Sequence, residues 1–148
     1  MPDTTAKERA LGYFAQKFNC AESALLGLVE GHDLKCDCAP RIATGFGGGI
    51  AGCGEACGAV TGAIMALGLK YGRERADDLE AKNALYAKVR VLIDAFEKEF
   101  GSSRCLDLTG CNMRTPEGLE MAKQRRLHDE FCPRFVAFAV EIASQLID

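Results

Sequence analysis

Cys20, Cys57, Cys105 and Cys132 share a placement that points to chemistry: each stands at or near the start of a helix that the sequence predicts. Cys20 follows the cap residue Asn19, Cys57 falls early in a glycine-striped helix, Cys105 follows two serines, and Cys132 precedes Pro133. The unpaired amide hydrogens and positive dipole end at such a position stabilise a thiolate, which is both the nucleophile of disulfide exchange and the form that ligates metals. One free cysteine often packs as a small hydrophobe and needs no function. Independent packing gives no reason for four to share one position.

The other four cysteines have weaker claims. Cys53 and Cys57, four apart, share a helix face if the helix already includes Cys53. Cys36 and Cys38 flank Asp37 in a polar loop. Neither pair has the two-residue spacing of thioredoxin-like motifs, and no double pair marks a zinc ribbon. A four-thiolate iron-sulfur or zinc site assembled from distant segments stays open, because such ligands need proximity in space and not in sequence. His32 and His128 are too far apart to form a motif, and both read as exposed loop or helix-end residues. Glu55 reads as a charge favouring a helix start. The Gly47-Gly48-Gly49-Ile50-Ala51-Gly52 run satisfies a dinucleotide-binding pattern literally, but no strand precedes it and no acidic residue follows at the required distance.

Helical periodicity dominates the elements that must position these thiols, and strand alternation is nearly absent. The expected fold is all-α: a single domain over residues 1–148, a bundle of about five to six helices with a glycine-rich loop. Thr5 with Glu8 and Asn19 with Glu22 are capping-box spacings, opening either two helices or one that continues past Asn19. The segment 31–52, with Pro40 and the glycines, is a loop with one short helical turn around Ile42. From about residue 54 to 69, Gly54, Gly58, Gly62 and Ala66 draw a bare stripe against which another backbone must pack. Residues 73–100 predict one long helix with Leu79, Tyr86, Val89, Ile93, Phe96 and Phe100 facing the core. Ser102 or Ser103 caps a short turn containing Cys105, Thr115-Pro116-Glu117 opens another helix, and a last helix starts near Pro133. Its core-facing residues are Phe135, Phe138, Ile142 and Leu146.

Composition narrows the function classes. The 148 residues are 48% hydrophobic and 26% charged, the balance of a globular protein able to bury a core without disulfides. A net charge of −3 gives no pull toward nucleic acid. The N-terminus, with Asp3, Lys7, Glu8 and Arg9, lacks a secretory layout, and the weakly charged run 50–69 reads as a buried helix, not a membrane span. A cytoplasmic location is expected, where thiols stay reduced unless catalytic or metal-bound.

Several blocks resemble the C-GCAxxG-C-C family of redox-active proteins: Asn19-Cys20-Ala21-Glu22; Cys57-Gly58-Ala59-Val60-Thr61-Gly62; Phe100-Gly101-Ser102-Ser103-Arg104-Cys105 with Leu108-Thr109-Gly110; and Cys132 ahead of Phe135-Val136. The resemblance covers nearly the whole chain, and the cysteine-glycine-alanine block is its most specific part. It implies that Cys20, Cys57, Cys105 and Cys132 are the family's four cysteines. Cys53 and Cys111 lie beside family blocks and join the candidates for a site, whereas Cys36 and Cys38 lie outside them.

Three functions remain open. The first is a thiol–disulfide oxidoreductase cycling between dithiol and disulfide with an unidentified redox partner, Cys57 being the expected attacking thiolate and another of the four resolving it. The second is a metal-binding or electron-transfer module holding an iron-sulfur cluster or zinc on Cys20, Cys57, Cys105 and Cys132, with Cys53 and Cys111 as further ligands. The third is a structural homodimer formed through the glycine stripe, whose cysteines only pack.

Overall fold

A computed structural model describes residues 4–148; Asp3, part of the reading of the N-terminus, lies outside them. Seven α-helices carry the described chain: α1 (Ala6–Ala15), α2 (Cys20–Gly31), α3 (Gly58–Tyr71), α4 (Leu79–Phe100), α5 (Cys105–Thr109), α6 (Pro116–Gln124) and α7 (Pro133–Ile147). A 3-10 segment, Arg41–Phe46, lies between α2 and α3, and a single π turn, Leu127–Phe131, precedes α7. No strand forms among the described residues, whose one isolated bridge joins Ala56 to Arg104. The all-α expectation holds, with one helix more than the upper end of the expected number.

Local chemistry explains where most helices begin. Thr5 caps α1 by accepting from the Glu8 amide at 3.1 Å. Asn19 and Glu22 form a complete capping box at α2, each side chain accepting the other's amide at 2.9 Å. Lys17, with φ of +81°, breaks the chain between them, so α1 and α2 are separate helices. Thr115 caps α6 by accepting from Gly118 at 3.0 Å, with Pro116 at its first position.

The core lies where α1, α2, α3 and α7 meet. Ala10, Phe14, Leu25, Leu28, Leu67, Val136 and Val140 are buried there. The glycine stripe serves this packing within the chain. A Cβ on Gly62 would overlap the Ala21 carbonyl, and one on Gly58 would lie 3.0 Å from the Ala21 amide nitrogen and the Cys20 Cβ. The backbone that approaches the stripe is therefore the first turn of α2, which removes the stripe as a homodimer face. Gly54 is not part of it: α3 starts at Gly58, and Gly54 precedes it with φ of +74°.

Helix α4 is shorter than expected, because residues 73–78 form turns and Asp78 caps it at the Ala81 amide, 3.0 Å away. In its first half only Leu85 and Val89 pack at the core's edge, and Leu79 and Tyr86 are exposed instead of inward-facing. The second half docks through Leu92 and Phe96. Phe96 and Phe100 meet Phe135 and Phe138 of α7 in tilted and edge-to-face pairs at centroid distances of 4.8–6.1 Å, worth about 0.5–1.5 kcal/mol each beyond their burial. Phe135 is buried, while Phe138, Ile142 and Leu146 lie at the core's edge.

Candidate functional site

Three connections bring the four cysteines of the separate helices to one place. The first is a crossing of two loop segments: the Cys57 amide donates to Ser103 O at 2.8 Å and the Cys105 amide to Glu55 O at 2.7 Å. It sets Cys57, the cap residue of α3, beside Cys105, the first residue of α5. Gly49 makes room for this crossing; a Cβ there would stand 2.6 Å from both the Cys105 Cβ and the Glu55 nitrogen. Arg104, not a serine, is the cap position of α5; Ser102 instead accepts from the Arg104 amide and donates to Asp107.

The second connection ties the glycine-rich loop to α2. Asn19 Nδ2 donates to Thr44 O at 3.0 Å, and the Thr44 hydroxyl donates to Glu22 Oε2 at 2.8 Å. Beyond this anchor, residues 48–52 all have positive φ, from +50° to +78°, making one left-handed turn. That conformation costs a non-glycine residue roughly 1–2 kcal/mol, which accounts for the glycines and leaves Ile50 and Ala51 strained. The glycine cluster is thus a backbone device that closes over Cys20, Cys57 and Cys105.

The third connection pins the π turn to the end of α1. His128 Nε2 lies 2.7 Å from Phe14 O; a carbonyl only accepts, so Nε2 carries the proton. The imidazole stacks on the Phe14 ring at 3.9 Å, and Lys17 pairs with Asp129 at 2.8 Å. The Cys132 amide then closes the turn onto Leu127 O at 2.7 Å. His128 is half-buried, not the exposed residue that sequence suggested. The missed signal is its position four residues before Cys132.

The result is a cavity of about 290 Å³ lined by Cys20, Cys57, Cys105 and Cys132. Phe14, Leu108, Met113, Leu127 and Phe135 give it apolar walls, and His128, Lys123, Asn19 and Thr109 contribute the polar ones. Cys57, Cys105 and Cys132 are buried and Cys20 is half-buried. Cys53 is exposed in the loop before α3, so it shares no helix face with Cys57 and does not line the cavity. Cys111 is fully buried outside the cavity, its sulfur 3.6 Å from Arg125 Nη1. Glu55 is exposed, its carboxylate 3.9 Å from Arg104. All eight cysteines are free thiols, and among the described residues no three His, Cys, Asp or Glu side chains converge as a metal ion's ligands would.

The thiols differ in acidity for identifiable reasons. The hydrogen bond that Cys20 shares with Cys132 holds Cys20 well above the ordinary thiol value, and burial and the neighbouring thiols push the same way. The same bond holds Cys132 below that value, helped by the charge on Arg134 and opposed by burial. Cys57 is pushed up to about 12 by burial, which outweighs the stabilising amides of Ala59 and Val60 at the start of α3. Burial raises Cys105 as well, and charge at Cys132 adds to it. A helix start alone does not make a thiolate here: desolvation overrides it at Cys57.

The spacing of these four cysteines decides the relationship. The family model described as "Putative redox-active protein (C_GCAxxG_C_C)" matches residues 18–146. The chain belongs to this family. A protein of Archaeoglobus fulgidus described only as "Uncharacterized protein" is 33% identical over 144 residues, covering 93% of this chain and 89% of its own length. No solved structure matches the chain. All four cysteines that carry the family resemblance line the one cavity. No helix among the described residues is long and apolar enough to cross a membrane.

Proposed function

We propose that the protein is a thiol–disulfide oxidoreductase in which Cys132 attacks and Cys20 resolves. The observation that carries this reading is that Cys20 and Cys132 line one cavity and shift each other's acidity in opposite directions. A pair poised this way supplies one thiolate and one protonated reserve thiol, the two states that successive exchange steps need.

The Cys132 thiolate attacks one sulfur of a substrate disulfide; the second substrate sulfur leaves as a thiolate and takes up a proton. Cys20 then gives up its proton and attacks the Cys132 sulfur of the mixed disulfide, releasing the remaining substrate thiolate. The protein loses two electrons and gains a Cys20–Cys132 bond, while the substrate disulfide becomes two thiols. An external thiol runs the sequence backward to restore the dithiol. The charge on Arg134 favours the thiolate of the attacking sulfur, against the burial that opposes it. This assignment replaces Cys57 as first nucleophile, because its raised pKa leaves almost no thiolate at neutral pH.

A second reading, an iron-sulfur cluster or zinc on the same thiolates, draws support from the four sulfurs lining one cavity. As arranged they do not converge on a point, so the fit is poor and the dithiol reading is preferred.

The test is the alkylation rate of each cysteine in the reduced, folded protein near neutral pH, read from the peptide that contains it. Cys132 should react fastest of the cavity four, and Cys20→Ser should leave it able to form a persistent mixed disulfide with oxidised glutathione. Fastest labelling at Cys57, or no adduct in the variant, would sink the assignment.

A further inference from the structure

Cys36 and Cys38 lie apart from the cavity, and they pair with each other where the likewise exposed Cys53 stands alone. Their sulfurs are 3.4 Å apart, Cys36 half-buried and Cys38 exposed. Neither packs into the hydrophobic core and neither lines the cavity. The ordinary reason for a free cysteine, service as a small buried hydrophobe, is therefore missing. The turn that carries them is held on both sides. Before it, the Leu34 amide donates to Val29 O at 2.8 Å at the end of α2; after it, the Ile42 amide donates to Cys38 O at 3.1 Å, opening the 3-10 segment.

We propose that Cys36 and Cys38 form a second redox-active dithiol, a surface site that exchanges with disulfides of other molecules independently of the cavity pair. Closure needs the sulfurs to move from 3.4 Å to the bonded distance of about 2.0 Å, within reach of side-chain rotation. The hydrogen bond with Cys36 raises the Cys38 thiol, and Cys36 is assigned the first attack. Cys36 displaces one substrate sulfur as a thiolate, which is then protonated. Cys38 loses its proton, attacks the Cys36 sulfur and displaces the other. The substrate disulfide gains two electrons and becomes two thiols, and the protein holds a Cys36–Cys38 bond. The substrate class is an accessible disulfide, low-molecular-weight or on a protein surface, since the exposed turn, unlike the cavity, needs no entry path.

The sequence makes the test direct. Lys35 and Arg41 release residues 36–41 as one tryptic peptide holding these two cysteines and no others, while the cavity cysteines fall in peptides 18–35, 42–70, 105–114 and 127–134. The reduced full-length protein is treated with oxidised glutathione, free thiols are blocked by alkylation, and the digest is read by mass. Peptide 36–41 should appear unalkylated and lighter by its two thiol hydrogens, and Cys38→Ser should stall with glutathione on Cys36. Recovery of the peptide fully alkylated, or with glutathione retained in the unsubstituted protein, overturns the proposal. The cavity peptides in the same digest report the Cys132–Cys20 reading separately, so failure of one leaves the other measurable.

Discussion

Cys20 and Cys132 line one cavity, and each acts on the other's acidity, raising the Cys20 thiol well above and lowering the Cys132 thiol below the ordinary cysteine value. They meet there because the capping box of α2 and the π turn before α7 each deliver a sulfur to one end of the core. Removing Cys20 while keeping the fold should therefore move Cys132. Cys20→Ala should shift the pH profile of Cys132 alkylation to higher pH, whereas Cys57→Ala should leave it nearly in place. Rate against pH, read on peptide 127–134, checks both.

Arg134 acts on the same sulfur through charge alone. Arg134→Gln should slow Cys132 alkylation near neutral pH by about two- to fivefold, the factor that 0.5–1 kcal/mol of a solvent-screened interaction converts to. The rates should converge at alkaline pH, where the thiol ionises without help. An equal loss at every pH would assign Arg134 a packing role.

Cys57 makes the fold sensitive to alkali. Its thiol is pushed from 9.0 up to about 12 in the folded chain, so the folded state keeps a proton that the unfolded state has already lost between those values. Stability from this group is whole below about pH 9 and falls as pH rises toward 12, by up to about 1.4 kcal/mol per pH unit. Cys20 contributes in the same direction. Urea unfolding from about pH 8 to about pH 11 should show a steeper decline for the natural sequence than for Cys57→Ala, whose stability starts lower because of the cavity it leaves.

Two substitutions in the glycine-rich loop should have opposite signs. Gly49→Ala adds a methyl where φ is +71° and where the Cys105 Cβ and Glu55 nitrogen leave no space, so it should destabilise by about 2–4 kcal/mol and slow all cavity-thiol reactions. Ile50→Asn relieves a β-branched residue at φ +67° on an exposed position and should stabilise by about 0.5–1 kcal/mol. Denaturant midpoints decide both.

Features legible in the sequence were those decided by a few neighbouring residues. Asn19 with Glu22, Thr115 with Pro116, and Pro133 announced their helix starts because capping is local chemistry. The four cavity cysteines were legible for the same reason. What depended on tertiary placement was not. Leu79 and Tyr86 have the right period for a core, yet that half of α4 packs on its Leu85 and Val89 side and leaves them exposed. Gly54 continued the stripe in register, yet the left-handed turn before it delays α3 by a full helical turn. The order of thiol acidities was hidden too. Helix starts favour thiolates equally in sequence, whereas burial at Cys57 and a partner sulfur at Cys132 arise only in the fold.

The central claim is that Cys132 and Cys20 form the working disulfide. The most direct measurement is the disulfide map of the full-length protein after one equivalent of a disulfide oxidant, alkylation and tryptic digestion. A cross-link between peptides 18–35 and 127–134 is the predicted result. A dominant cross-link between 42–70 and 105–114, placed on Cys57 and Cys105 by fragmentation, with peptide 127–134 alkylated, would contradict it and make the Cys57–Cys105 crossing the redox centre.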